Sequence, residues 1–352
     1  MNAAALSHLK NNVVAIAIGG VGGLLFSLAD LPLAWMLGAM FATTVAAILG
    51  IRIEIYKPLR NTMIAVLGVL LGSAFAPSML DEMARWAAGA AVVACYVPIG
   101  ALLVYVYYRR VGGFDPVTAY SASSPGGFGE MVILGEEMGG DAQVISLAHA
   151  TRILMVVFLV PVFYRFVVGL DVPTIAAGDP LLALGLWDLA LLALCGAVGW
   201  PLAARLKIPA AALIGPVILS AAVHLAGLTA SRPPVPVIAV SQLIIGASVG
   251  ARFAGVDLKK IARVPLLSIG ATAILLVLAG VFTLLFAGPV GLGPVALNLA
   301  LAPGGLAEMS LIALALGIDT AFVSSMHILR IALIYLAAPI GFRFLGKRAS
   351  EP

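Results

Sequence analysis

One polar signature is written twice in this chain, 178 residues apart, against an almost wholly apolar background. The first copy runs Pro125-Gly126-Gly127, Glu130, Met131, Gly139, Asp141, Ser146, His149, Arg152, Pro161, Arg165 and Phe166. The second runs Pro303-Gly304-Gly305, Glu308, Met309, Gly317, Asp319, Ser324, His327, Arg330, Pro339, Arg343 and Phe344. Every pair keeps one offset with no gap. Only 10 % of the residues are charged, yet Glu, Asp, His and Arg recur at matching points. A duplicated polar constellation in an apolar chain is the pattern of a two-fold pathway for a solute or ion.

The apolar background sets the solvent. Hydrophobic residues make up 62 % of the chain, mean hydropathy is +1.13, and apolar runs of about 20 residues, each able to span a bilayer core as a helix, recur throughout. Spans are predicted at 13–29, 32–50, 60–77, 86–108, 142–165, 184–204, 209–227, 235–251, 264–287 and 320–343. No polar stretch is long enough for a separate soluble domain. The first apolar run lacks a small-residue cleavage pattern and is expected to remain as a span. Cys95 and Cys195 sit in apolar segments outside the repeat register, which suggests neither a disulfide nor a metal site.

The duplication covers nearly everything. Pro32 matches Pro209 and Gly38 matches Gly215; Gly68, Gly72, Phe75 and Arg85 then match Gly246, Gly250, Phe253 and Arg263. The expected repeats are 10–168 and 187–346, joined by a linker with Asp171, Pro173, Gly178, Asp179 and Pro180. Each repeat holds a Pro-Gly-Gly segment, roughly 115–139 and 291–317. Whether that segment crosses the membrane decides the parity of each half. If it crosses, seven basic residues lie outside (Arg85, Arg205, Lys207, Arg252, Lys259, Lys260 and Arg263). If it dips in and returns, only Arg85, Arg165 and Arg232 do, and fifteen of the twenty basic residues lie inside. The positive-inside rule favours the second arrangement.

The expected fold is therefore an all-α polytopic membrane protein of about ten transmembrane helices. They form two inverted five-helix repeats, each with a re-entrant Pro-Gly-Gly hairpin, and both termini lie in the cytoplasm. Proline removes a donor and glycine permits positive φ, so neither segment can continue as a regular helix. Broken helices that cross the membrane are the alternative.

Gly126, Gly127 and Glu130, with Gly304, Gly305 and Glu308, are candidate substrate- or ion-binding residues at the two tips. Each Glu falls in the first turn of a half-helix, where the helix dipole favours an acid. It could act as a cap, pair with an intramembrane arginine, or carry a proton or cation. His149 and Arg152 share a helix face with Ser146, and His327 and Arg330 share one with Ser324. Glu130 and Glu308 are the expected ion-pair partners of the arginines; the same face could instead bind an anionic group, with His handling protons. Asp141 and Asp319 stand before long apolar runs and read as N-caps, with Ser146 and Ser324 secondary. His8 and His224 have no repeat partner. No metal-ligand spacing is present among the histidines and glutamates.

The doubled P-G-G-[FL]-x-E-M … D … H-x-x-R pattern resembles the bacterial AbrB family of integral membrane proteins. Members carry the AbrB duplication and bear labels such as putative ammonia monooxygenase or AbrB-family transcriptional regulator. The resemblance implies a multi-pass protein of the bacterial inner membrane linked to the regulation of gene expression. A monooxygenase needs a copper or iron ligand set, and a DNA-binding regulator needs a basic soluble domain; neither is evident. The chain is expected to be a secondary transporter of a small solute, coupled to protons or Na+, rather than an enzyme. Its expected partners are the lipid bilayer and that solute, with no nucleic acid and no cofactor, and self-association is left open. A membrane-embedded regulator or sensor is the alternative, ahead of a metal-dependent monooxygenase.

Overall fold

The structure is a computed structural model and describes residues 3–75, 83–171, 173, 178–255 and 262–349. Lys259 and Lys260, which entered the charge argument, lie outside the described residues. Fourteen α-helices carry the described chain, and no strand occurs among them. In order these are α1 (Ala3–Leu28), α2 (Ala34–Ile48), α3 (Lys57–Gly72), α4 (Met83–Tyr107), α5 (Pro116–Ser123), α6 (Phe128–Glu137) and α7 (Ala142–Phe166). There follow α8 (Leu186–Arg205), α9 (Ala211–Leu225), α10 (Val235–Gly250), α11 (Arg263–Val290), α12 (Pro294–Leu301), α13 (Leu306–Ala315) and α14 (Thr320–Ala349). The order of long and short helices is the same before and after the linker.

Among the described residues, seven helices are long and apolar enough to cross a membrane: 8–28, 85–112, 142–166, 186–205, 235–253, 263–290 and 320–342. Seven of the ten predicted spans fall on these. Predicted spans 32–50 and 209–227 fall on the shorter α2 and α9, and 60–77 falls on α3. The 15 residues of α2 and of α9 reach about 22 Å, short of the ~30 Å core. Each is two residues shorter than its predicted span at either end. Leu33 and Ala210, at matched positions, take left-handed φ of 46° and 49° as N-caps. Asp30 and Lys207, three residues earlier in each copy, have φ of 50° and 55°. Together these four are all the non-glycine residues with positive φ among those described.

The chain divides into two compact units, and neither is a sequence half. The first comprises Met1–Glu82, Phe158–Val256 and Ser310–Ser324. In it α1 packs on α2 and α8 on α9, while α2 packs on α10 and α3 on α9. Matched glycines make these crossings close. A Cβ on Gly38 would enter the backbone of Gly22, and one on Gly215 would enter that of Gly199. A Cβ on Gly246 would strike the Met36 carbonyl, and one on Gly68 would lie 2.7 Å from the Leu213 carbonyl. Each copy thus offers its glycine to the other copy's helix. The buried hydroxyls of Thr43 and Thr44 are satisfied within their own helix, donating to the Ala39 and Met40 carbonyls at 2.6 and 2.7 Å, as a chain without water at hand favours.

The second unit comprises Met83–Val157, Asp257–Met309 and Ser325–Pro352. Here α4 packs on α11. The fully buried Tyr96 donates its hydroxyl hydrogen bond to the Leu275 carbonyl at 3.0 Å and sets its ring edge-on to Phe282 at 5.7 Å. A π-helical turn, Tyr108–Gly112, ends α4 and brings Tyr108 to Ser268, 3.3 Å between hydroxyls.

Candidate functional site

Each Pro-Gly-Gly segment is a broken helix. Asp115 opens α5 by accepting from the backbone N–H groups of Val117 and Thr118 at 3.0 and 2.9 Å, with Pro116 pre-set at the first helical position. The helix stops at Ser124, which is extended (φ −61°, ψ 122°) as the residue before a proline must be. Gly127, at φ 63°, starts α6. In the second copy α12 ends at Ala302 (φ −53°, ψ 132°) before Pro303, and α13 starts at Leu306.

A broken helix strands its last carbonyls, and a buried carbonyl must find a donor. The neighbouring long helix supplies them identically in both copies. His149 Nε2 meets the Ser121 carbonyl at 3.0 Å, and Arg152 Nη1 donates to the Ser124 carbonyl. His327 Nε2 meets the Leu299 carbonyl at 3.0 Å, and Arg330 Nη1 donates to the Ala302 carbonyl at 2.6 Å. All four contacts span 28 residues. Arg330 Nη2 reaches further, to the Gly304 carbonyl at 2.7 Å and to His327 Nδ1 at 2.6 Å. A carbonyl only accepts and a guanidinium only donates, so these bonds assign His327 as the neutral Nε2–H tautomer.

This overturns the expected Glu–Arg pairing. Arg152 and Arg330 are buried (5 % and 2 % exposed), and among the described residues neither forms an ion pair with Glu130 or Glu308. Glu130 and Glu308 are partly buried at the third residue of α6 and α13. The Glu308 carboxylate fills the space where a Cβ on Gly305 would go, and that of Glu130 lies 3.9 Å from the same space over Gly127. The acids fold back over the start of their own half-helices, where the dipole holds them. The guanidinium donors go instead to the carbonyls at the break, those of Ser124, Ala302 and Gly304.

Residues from both copies converge within the second unit. A Cβ on Gly126 would lie 2.9 Å from Ile334 Cδ1 and 3.7 Å from Arg330 Nε. Tyr120 of α5 donates to the Ala337 carbonyl at 3.3 Å and packs edge-on against Phe342 at 5.0 Å. Tyr96 lies within electrostatic range of both Arg152 and Arg330, which are in range of each other. A cavity of about 650 Å³ opens beside the first tip, lined in part by Tyr105, Tyr120, Ser123, Ser124, Pro125 and Ile334.

The remaining candidates do structural work. Asp141 caps α7, accepting from Gln143 and Val144 N–H at 2.9 and 3.0 Å; Asp319 accepts from Phe322 N–H at 2.9 Å. Ser324 is buried, donates to Thr320 O at 2.7 Å and accepts from the Ser310 hydroxyl at 2.9 Å, whereas Ser146 is partly buried. His224 ties the Ser220 and Ser231 carbonyls at 2.7 and 3.0 Å, and His8 meets Glu54 at 2.7 Å. Sequence reasoning missed Asp115, although Asp-Pro is a helix-start signal. It also missed Tyr96, whose repeat counterpart is the apolar Ile274.

Comparison with known proteins assigns the family. The family model described as "Transition state regulatory protein AbrB" matches residues 35–346. The chain belongs to the AbrB family. It is 25 % identical to the Bacillus subtilis (strain 168) protein named "Uncharacterized protein YhjN", over 96 % of this chain and 94 % of that one. It is 24 % identical to the Escherichia coli (strain K12) protein named "Putative regulator AbrB", over 93 % of this chain and 94 % of that one. The AbrB match takes in both broken helices and both His–Arg pairs.

Proposed function

We propose that this AbrB-family protein is a secondary transporter that moves a small solute across the bacterial inner membrane, coupled to protons or cations. In this reading ten spans form two inverted repeats, 10–168 and 187–346, the broken helices are re-entrant, and both termini are cytoplasmic. One observation carries it: the breaks of two interrupted helices, each held open by a buried His–Arg pair from the next helix, lie in one compact unit. Irregular backbone at membrane depth survives only inside protein or beside a water-lined path, and paired discontinuous helices at a midplane site are how many secondary carriers are built. Glu130 and Glu308, partly buried and unpaired with the arginines, are the groups assigned to the coupling ion.

A regulatory role is favoured by the name of the Escherichia coli relative, and a transported solute acting as the signal would reconcile the two. Metal-centred oxidation draws no support from His327, since both of its ring nitrogens are already engaged. The test is flux in proteoliposomes. Wild-type protein should move solute or dissipate an imposed pH gradient, and the Glu130→Gln/Glu308→Gln double variant should insert normally yet lose the flux. Unchanged flux in the double variant removes the glutamates from the mechanism; no flux with wild-type protein removes transport.

A further inference from the structure

We propose that the junction between Gly126, Arg152 and Arg330 binds the carboxylate group of a small organic anion, whose apolar remainder occupies the adjoining cavity. This deepens the transport reading by naming its substrate class. Two guanidinium groups lie buried in one unit, in electrostatic range of each other, and among the described residues neither has a carboxylate partner. The C-terminal ends of α5 and α12 offset part of that charge through the helix dipole. The two glutamates sit at the opposite helix ends, folded over Gly127 and Gly305.

The donors are incompletely used as well. Arg152 Nε and Arg330 Nε are buried with no hydrogen-bond partner, a costly condition for a charged group that a ligand would relieve. In Arg330, Nη1 and Nη2 hold the Ala302 and Gly304 carbonyls and His327, so the Nε edge is the face left open. That edge lies 3.7 Å from where a Gly126 Cβ would sit, a position that is itself 2.9 Å from Ile334 Cδ1, so a ligand there must displace the Ile334 side chain. A carboxylate oxygen accepts a charge-assisted N–H bond from a guanidinium, and on this edge of Arg330 the Nε–H is the donor left to give. The next residue back, Pro125, lines the cavity of about 650 Å³ together with Ser123, Ser124, Ile334 and apolar residues of α4. Its volume is in the range for small-ligand sites, and its largely apolar wall suits a hydrocarbon body with one charged end.

The test is thermal unfolding of the full-length protein in detergent with acetate, isobutyrate, benzoate and succinate, each against its neutral amide, and with inorganic phosphate. At least one carboxylate should raise the unfolding midpoint saturably while its amide does not. Arg152→Gln or Arg330→Gln should weaken that carboxylate about 10- to 100-fold. Gly126→Ala keeps both arginines but puts a methyl in front of Arg330 Nε; it should also weaken binding, and it decides the matter should the arginine variants fail to fold. Silence from every carboxylate, equal effects of acid and amide, a response to phosphate alone, or unaltered affinity in Gly126→Ala overturns the proposal. Binding without flux in liposomes leaves this site standing and removes the transport reading. Flux without carboxylate binding does the reverse.

Discussion

Arg330→Ala is expected to produce the largest loss of stability of any single substitution at the site. It withdraws donors from the Ala302 and Gly304 carbonyls and from His327 Nδ1, all buried. Each orphaned group costs about 1–3 kcal/mol, and removing a poorly compensated buried charge returns part of that. A net loss of about 3–6 kcal/mol follows, a large share of the 5–15 kcal/mol typical of folded domains. Arg330→Lys retains the charge without the planar fork, so it should hold one carbonyl at best and fall between. Glu308→Gln, which breaks no ion pair to Arg330, should unfold near wild type. Denaturant unfolding in detergent ranks the three; Arg330→Ala within about 1 kcal/mol of wild type would show that the clamp does not hold the break.

Gly246→Val is expected to be nearly as damaging, for a steric reason. The added Cβ would strike the Met36 carbonyl and separate α10 from α2. A backbone atom cannot yield as a side chain does, so the strain should reach or exceed the 1–3 kcal/mol of ordinary overpacking, with a β-branched helical penalty added. The counterpart Gly68→Val meets the Leu213 carbonyl at the α3–α9 crossing and should lose a similar amount. Equal losses support reciprocal packing of the two copies. Tolerance of both, read from unfolding midpoints, would mean that these crossings can relax.

Much of this was legible in the sequence, because the governing interactions are local. Apolar runs placed the long helices, Pro-Gly-Gly placed the breaks, and an acid ahead of an apolar run placed the cap at Asp141. The partner of the arginines was not legible. Glu130 and Arg152 advertise opposite charges, whereas the acceptors actually used are the backbone carbonyls of Ser124, Ala302 and Gly304, which no side chain marks. Only the break itself hints at them, since a helix interrupted by proline must strand carbonyls. The shortness of α2 and α9 was hidden for a related reason. Their apolar runs continue through Leu33 and Ala210, and the left-handed backbone there belongs to residues that ordinarily avoid it. Tyr96 escaped because repeat matching overlooks a residue present in one copy.

The central claim is that the two broken helices are mirror partners entering from opposite faces of the membrane. Met138 and Leu316 follow the second half-helix of each copy at matched positions. Each can be replaced singly by Cys in a chain whose Cys95 and Cys195 have been removed, then probed with a membrane-impermeant maleimide from either side. The account predicts that Met138→Cys and Leu316→Cys label from opposite sides; labelling of both from the same side would contradict it.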